Sequence, residues 1–173
     1  MNTNRDMASD LPEIEGAGPE PVDGPEPSGA VEVPPKAVGA LWYRLTGLRW
    51  RTLAVVAPGD GARAWRVVRA LVEVAERRPR LLKAVNVIDA SMDRVAAVAN
   101  VLSPQRLDAA VDRTRFLVAV DSPLENPAAI GLLSTCDGVV LVLEQRRTRI
   151  PDGQRIIELV GQERFIGAVL CSR

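Results

Sequence analysis

The residues whose types and spacing come closest to chemistry are Gly59, Asp60, Gly61, Ala62 and Arg63, which follow the apolar run Leu53 to Ala57 and open a segment with helical periodicity. An apolar strand, a glycine turn and a helix start together make a phosphate-binding loop, because backbone N–H groups at a helix N-terminus favour an anion whatever the side chains. In a catalytic loop of this kind the last glycine is followed by Lys, which reaches the β- and γ-phosphates, and then by Ser or Thr, whose hydroxyl holds magnesium. Here Ala62 and Arg63 stand at those positions. Charge neutralisation and metal positioning are lost together, which leaves at most weak phosphate binding through the backbone. A planar guanidinium at the hydroxyl position neither binds magnesium nor copies a flexible Lys.

Two acids accompany the turn. Asp89 ends the run from Leu82, and Asp121 ends the run from Phe116. With a nucleotide bound they would coordinate magnesium or water; otherwise such acids cap the next helix or hold a loop. Gly59 and Gly61 have an equally plain alternative role in a tight strand-to-helix connection. Gly59 to Ala64 also fits G-x-G-x-x-A, and with Asp89 ending the next run this is the layout of a dinucleotide-binding Rossmann unit with a ribose-binding acid. That alternative leaves the Asp121-Ser122-Pro123 and Thr148-Arg149 segments unexplained.

Positioning these residues requires a particular order of elements. The runs Leu53 to Ala57, Leu82 to Asp89, Phe116 to Asp121, Gly138 to Glu144 and Phe165 to Leu170 are rich in Val, Ile and Leu without alternation, as in strands buried on both faces. Between the first two, Trp65, Val68, Leu71, Val72 and Ala75 recur at helical spacing. Further helices are expected from Asp93 to Leu102, around Pro104 to Val111, from Pro127 to Ser134 and from Pro151 to Val160, with the prolines near helix starts where a missing N–H costs nothing. The alternation implies a doubly wound α/β domain over residues 37–173, with about five mostly parallel strands and helices on both faces. In such sheets ligands bind at the carboxyl ends of the strands, where the turn, Asp89 and Asp121 all fall.

Composition narrows the function classes. The 173 residues fit one domain, and an apolar fraction of 47% with zero net charge suits a globular protein. The balance hides an asymmetry: residues 1–35 carry eight acidic residues and one basic, leaving 14 acidic and 21 basic for the remainder. Pro, Gly, Glu and Asp dominate residues 1–36, which predicts a disordered acidic tail. The arginines are spread through every segment rather than clustered among aromatics, so no nucleic-acid partner is expected. There is no His, which excludes His-dependent triads and His-containing zinc sites, and Cys136 and Cys171 lack metal-ligand spacing. Reduced, buried thiols are expected. No stretch approaches eighteen apolar residues and the N-terminus is acidic, so neither a membrane span nor a signal peptide is expected, and the expected location is the cytoplasm. Ala37 to Trp50, with Leu41, Trp42, Leu45 and Leu48 among arginines, reads either as a helix covering one edge of the sheet or as a surface for a partner or for self-association.

Taken in order, several segments resemble the cytoplasmic bacterial tyrosine kinase and polysaccharide chain-length regulator family, a branch of the deviant P-loop ATPases that includes the Min and Par proteins. Trp42-Tyr43-Arg44-Leu45 is similar to the family's Tyr-Arg segment that serves self-association. Pro58-Gly59-Asp60-Gly61 resembles the Pro-Gly-Glu-Gly of its Walker A loop, Val87-Ile88-Asp89-Ala90-Ser91 its apolar-apolar-Asp-Ala-Asp motif, and Val118 to Pro123 its strand ending Asp-Thr-Pro-Pro. Cys136 to Leu143, Thr148-Arg149 and Ile166 to Leu170 resemble its final strands and intervening helix. The departures fall together: Ala62 and Arg63 replace Lys and Ser or Thr, Ser91 replaces the second Asp, the stretch from Asp89 to Asp121 is short, and Tyr43 is the only tyrosine. The resemblance therefore implies a pseudo-kinase acting by protein contact in exopolysaccharide or capsule synthesis and export. Its nucleotide site, at Gly59, Asp60, Gly61, Ala62, Arg63, Asp89 and Asp121, would be vestigial and without catalytic residues or a metal. No cofactor is expected, with weak binding of ATP and magnesium left open, as is residual hydrolysis by a regulator of the same family. The implied partner is a membrane polysaccharide co-polymerase of the chain-length regulator type, which would hold the protein peripherally at the inner face of the plasma membrane; Trp42, Tyr43 and Arg44 are candidates for that contact or for a homo-oligomer.

Overall fold

The computed structural model of the chain describes residues 35–59, 62–77, 84–90, 94–102 and 114–172. Its order is α1 (Pro35–Thr46), β1 (Thr52–Val56), α2 (Ala62–Glu76), β2 (Ala84–Ala90), α3 (Val95–Val101), β3 (Thr114–Val120), α4 (Ala129–Thr135), β4 (Gly138–Glu144), α5 (Ile150–Val160), a 3-10 turn (Gln162–Arg164) and β5 (Phe165–Cys171). The strands form one sheet in the order β2-β3-β1-β4-β5, and every pairing is parallel. This is the doubly wound α/β architecture expected from the sequence, in a P-loop-like arrangement. All five residues of β1 are buried, as the unbroken apolar run Leu53 to Val56 requires of a central strand covered on both faces.

Alternation divides the core in two. Leu53, Val55 and Ala57 of the β1 region, Leu117 and Ala119 of β3, and Val140 and Val142 of β4 pack on one face with α1 and α2. Ala54, Val56, Val118, Val120, Val139 and Leu141 pack on the other with α3, α4 and α5. This split follows from right-handed crossovers. Only the β1-to-β2 connection runs toward the β2 edge, so only α2 is delivered to its face, while the three connections running the other way deliver α3, α4 and α5 to the opposite one. Left to the crossovers alone, the α2 face would be bare over β4 and β5.

α1 fills that gap. Val38, Leu41, Trp42 and Leu45 form its buried stripe, Trp42 and Leu45 with no exposure at all. Leu41 lies over β5 so closely that a Cβ on Gly167 would sit 3.4 Å from Leu41 Cδ1. Each fully buried aliphatic side chain contributes about 1.5–3 kcal/mol. The helix is then anchored to the start of β1: Trp50 Nε1 donates to the Leu45 carbonyl at 2.9 Å, and the Arg115 guanidinium stacks over the Trp50 ring at 4.7 Å. Of the two roles that the sequence left for Ala37 to Trp50, covering the sheet is the one the helix performs.

Pro35 and Lys36, assigned by composition to the acidic tail, are the first residues of α1. The rest of that tail and the helix expected around Pro104 to Val111 lie outside the described residues.

Candidate functional site

β1 is flanked by β3 and β4, whose following segments lead to helices on the face opposite α2. The connections diverge on both sides of β1, and such divergence opens a crevice at the carboxyl end. The glycine turn sits there. Gly59 has φ +83°, a left-handed conformation that Gly adopts without the steric cost of a side chain. Asp60 and Gly61 lie outside the described residues, as does Ser91, and of Ala62 only its place at the start of α2 is described.

Arg63 turns back over the glycine turn rather than outward. Its Nε lies 2.9 Å from Glu144 Oε2, and its Nη1 donates to the Pro58 carbonyl at 3.3 Å. Glu144 ends β4 with a side chain only 1% exposed, against 18% for Arg63. Neither Glu144 oxygen receives a hydrogen bond of good geometry, so the 2.9 Å approach to Arg63 works as a charge pair rather than an aligned hydrogen bond. The backbone of Glu144 is held firmly: its N–H donates to Thr148 Oγ1 at 2.8 Å, and its carbonyl accepts from the N–H groups of Thr148 at 2.9 Å and Arg147 at 3.2 Å. Arg147 Nη1 stands 3.9 Å from Glu144 Oε1.

A second carboxylate borders the turn. A Cβ built on Gly59 would lie 3.7 Å from Arg63 Nη1 and 3.8 Å from Glu125 Oε1. Glu125 is set by the Asp-Ser-Pro segment, where the Ser122 carbonyl accepts from the N–H groups of Glu125 at 3.0 Å and Asn126 at 2.8 Å. Among the described residues, the space beside Gly59 therefore meets the Glu125 carboxylate and an Arg63 guanidinium already paired within its own chain.

The two strand-end acids occupy different ranks. Asp121 directly follows Val120, which pairs with Val56 on the adjacent β1. Asp89 pairs with Ala119 inside β2, which runs one residue further, to Ala90. β2 is two strands from β1, about 10 Å by ordinary strand spacing. A Rossmann unit places its second strand beside the first, whereas β3 intervenes here. By alternation Asp89, Asp121 and Glu144 all fall on the α2 side of the sheet, so the carboxyl edge carries three acids in a row.

Glu144 and Glu125 were not singled out from the sequence. Glu144 carried the same signal as Asp89 and Asp121, an acid closing an apolar run, but its partner Arg63 is 81 positions away and only the fold shows the pairing. The suggested contact residues separate: Tyr43 is 71% exposed and Arg44 is exposed, but Trp42 is wholly buried and is a core residue rather than a surface for partners.

The opposite edge of the sheet is structural. Asp137 Oδ2 accepts from the N–H groups of Arg51 at 2.7 Å and Thr52 at 2.8 Å and from Thr52 Oγ1 at 3.1 Å, tying β4 to the start of β1. Cys136 beside it is a buried thiol whose pKa burial, with the Asp137 charge, pushes up to about 12. Cys171 is free and buried too. Among the described residues no cluster of three or more His, Cys, Asp or Glu could hold a metal ion, and no helix is long and apolar enough to cross a membrane.

Fold and site together define a doubly wound, P-loop-like α/β protein in which the residue after the helix start is ion-paired to the end of β4. Neither a protein-family model nor a curated protein matches the chain.

Proposed function

We propose that this chain is a catalytically silent P-loop ATPase-like protein that acts by protein contact in exopolysaccharide or capsule synthesis and export, with a membrane chain-length regulator as its partner. The observation that carries the silent half is the Arg63–Glu144 pair: the one cation at the catalytic end of the loop is engaged by a buried carboxylate of its own chain. With Lys and Ser or Thr replaced by Ala62 and Arg63, nothing at those positions is left to neutralise transferring phosphates or to hold magnesium. The strand order adds support, since a P-loop-like sheet brings Asp121 next to the turn and keeps Asp89 away from the place of a ribose-binding acid. The polysaccharide half rests on the ordered resemblance of the Tyr43-Arg44, Pro58 to Gly61, Asp89, Asp121 and Thr148-Arg149 segments.

Incubation of the purified chain with Mg-ATP is expected to release no phosphate above a protein-free control. Turnover that disappears in an Asp121→Ala variant would overturn the silent assignment. Neighbouring genes for glycosyltransferases and polymer export are the expected context, and a neighbourhood without them would count against the polysaccharide half.

A further inference from the structure

The turn from β4 to α5 carries Arg146, Arg147 and Arg149 within four positions, all exposed. Arg146 is the only non-glycine residue with positive φ among the described residues, at +66°, a conformation that few such residues adopt. The hydrogen bonds from Arg147 and Thr148 to Glu144 hold this turn in place, and the Gln145 N–H donates to the Cys171 carbonyl at 2.9 Å. With Glu144, Gln145 and Ser172 the turn lines a concavity of about 420 Å³ at the carboxyl ends of β4 and β5. The only described ion pair of these three arginines is the loose 3.9 Å approach of Arg147 to Glu144.

α1 points back toward the same edge. Its C-terminal end leads through Trp50 to the start of β1, so it runs antiparallel to the strands, and Leu41 crosses β5 at Gly167. Six residues of helix rise about 9 Å from Leu41 back to Pro35, toward the end of β5 where Ser172 borders the concavity. The segment that precedes α1, residues 1–34, contains eight acidic residues and one basic, and the rest of the chain has 21 basic against 14 acidic.

We propose that the arginine-rich β4–α5 turn is the docking surface for the chain's own acidic N-terminal segment. The charges are complementary, α1 leads back in the direction of that edge, and covalent attachment makes the contact intramolecular, so a weak attraction acts at high effective concentration. This proposal stands apart from the polysaccharide assignment.

The test uses the full chain with a nitroxide on a Ser9→Cys variant, since Cys136 and Cys171 are buried and an introduced thiol is the reactive one. Amide signals of residues 145–149 are expected to be broadened by the label. The broadening should be lost at about 1 M salt, where the screening length falls to about 3 Å, and lost again in the Arg146→Gln/Arg147→Gln/Arg149→Gln variant. Broadening that survives both treatments, or that spreads equally to Arg69 and Arg155, would overturn the proposal. So would equal broadening of an unlabelled, isotope-enriched chain mixed with the spin-labelled one, because the occupant would then be the segment of a second copy. The salt titration needs no change to the turn, so a folding defect in the triple variant leaves the test intact.

Discussion

Arg63 shows how one side chain can redirect a loop. A Lys or Ser at the corresponding positions would face a phosphate or a metal, but the longer guanidinium reaches both the Pro58 carbonyl and the Glu144 carboxylate. Breaking a buried ion pair leaves a charge without compensation, at about 3–5 kcal/mol, and the partial exposure of Arg63 points to the lower figure. Arg63→Met is therefore expected to cost about 3 kcal/mol in urea unfolding, and adding Glu144→Gln should recover much of it, a coupling that a double-mutant cycle reads directly. Cys136 makes a different prediction. The ordinary thiol value is 9.0, and burial first, then the Asp137 charge, carries it to about 12 in the native state, against opposing contributions from the Thr52 hydroxyl and Arg164. The native state holds this proton more tightly than the unfolded chain. Its contribution is thus complete below pH 9.0 and is lost as the pH climbs toward 12. Cys171 shifts in the same direction through burial and the Glu144 charge. A Cys136→Ala variant should lose less stability than the parent between about pH 8 and about pH 10, measured by urea midpoints, and a parallel loss in both would contradict the assignment.

At the scale of elements, α1 and the Asp137 clamp secure the two ends of the central strands. Trp42→Ala should destabilise the fold by about 3–5 kcal/mol, the cost of emptying an aromatic core site, whereas Tyr43→Ala on the exposed side should change stability by under about 0.5 kcal/mol. Asp137→Ala removes an acceptor used by two backbone N–H groups and a hydroxyl, with an expected loss of about 2–3 kcal/mol by thermal or urea unfolding. The strands were legible in the sequence because each is a short apolar run bounded by polar residues, and their observed ends differ from the expected ones by no more than two positions. α1 was ambiguous for a physical reason: an amphipathic stripe of Leu and Trp looks the same whether it covers its own sheet or another molecule. The answer depended on which face the crossovers leave bare, and that follows from strand order. The ion pair of Arg63 and Glu144 and the clamp of Asp137 on Thr52 were hidden for the same reason, since parallel pairing joins residues that local periodicity cannot connect.

The whole molecule combines a sheet order that places a glycine turn at the divergence of its connections with side chains that occupy the turn from within. The carboxyl edge carries Asp89, Asp121 and Glu144 on one face and the arginine-rich turn beside them, so charge is abundant there while Ala62 and Arg63 stand where a phosphoryl-transfer loop carries Lys and Ser or Thr. The central proposal is that this site does not serve a nucleotide. Titration calorimetry of the unmodified chain with Mg-ATP tests it most directly. The account predicts no heat of binding up to millimolar nucleotide, and a saturable one-site isotherm that is abolished by Asp121→Ala would contradict it.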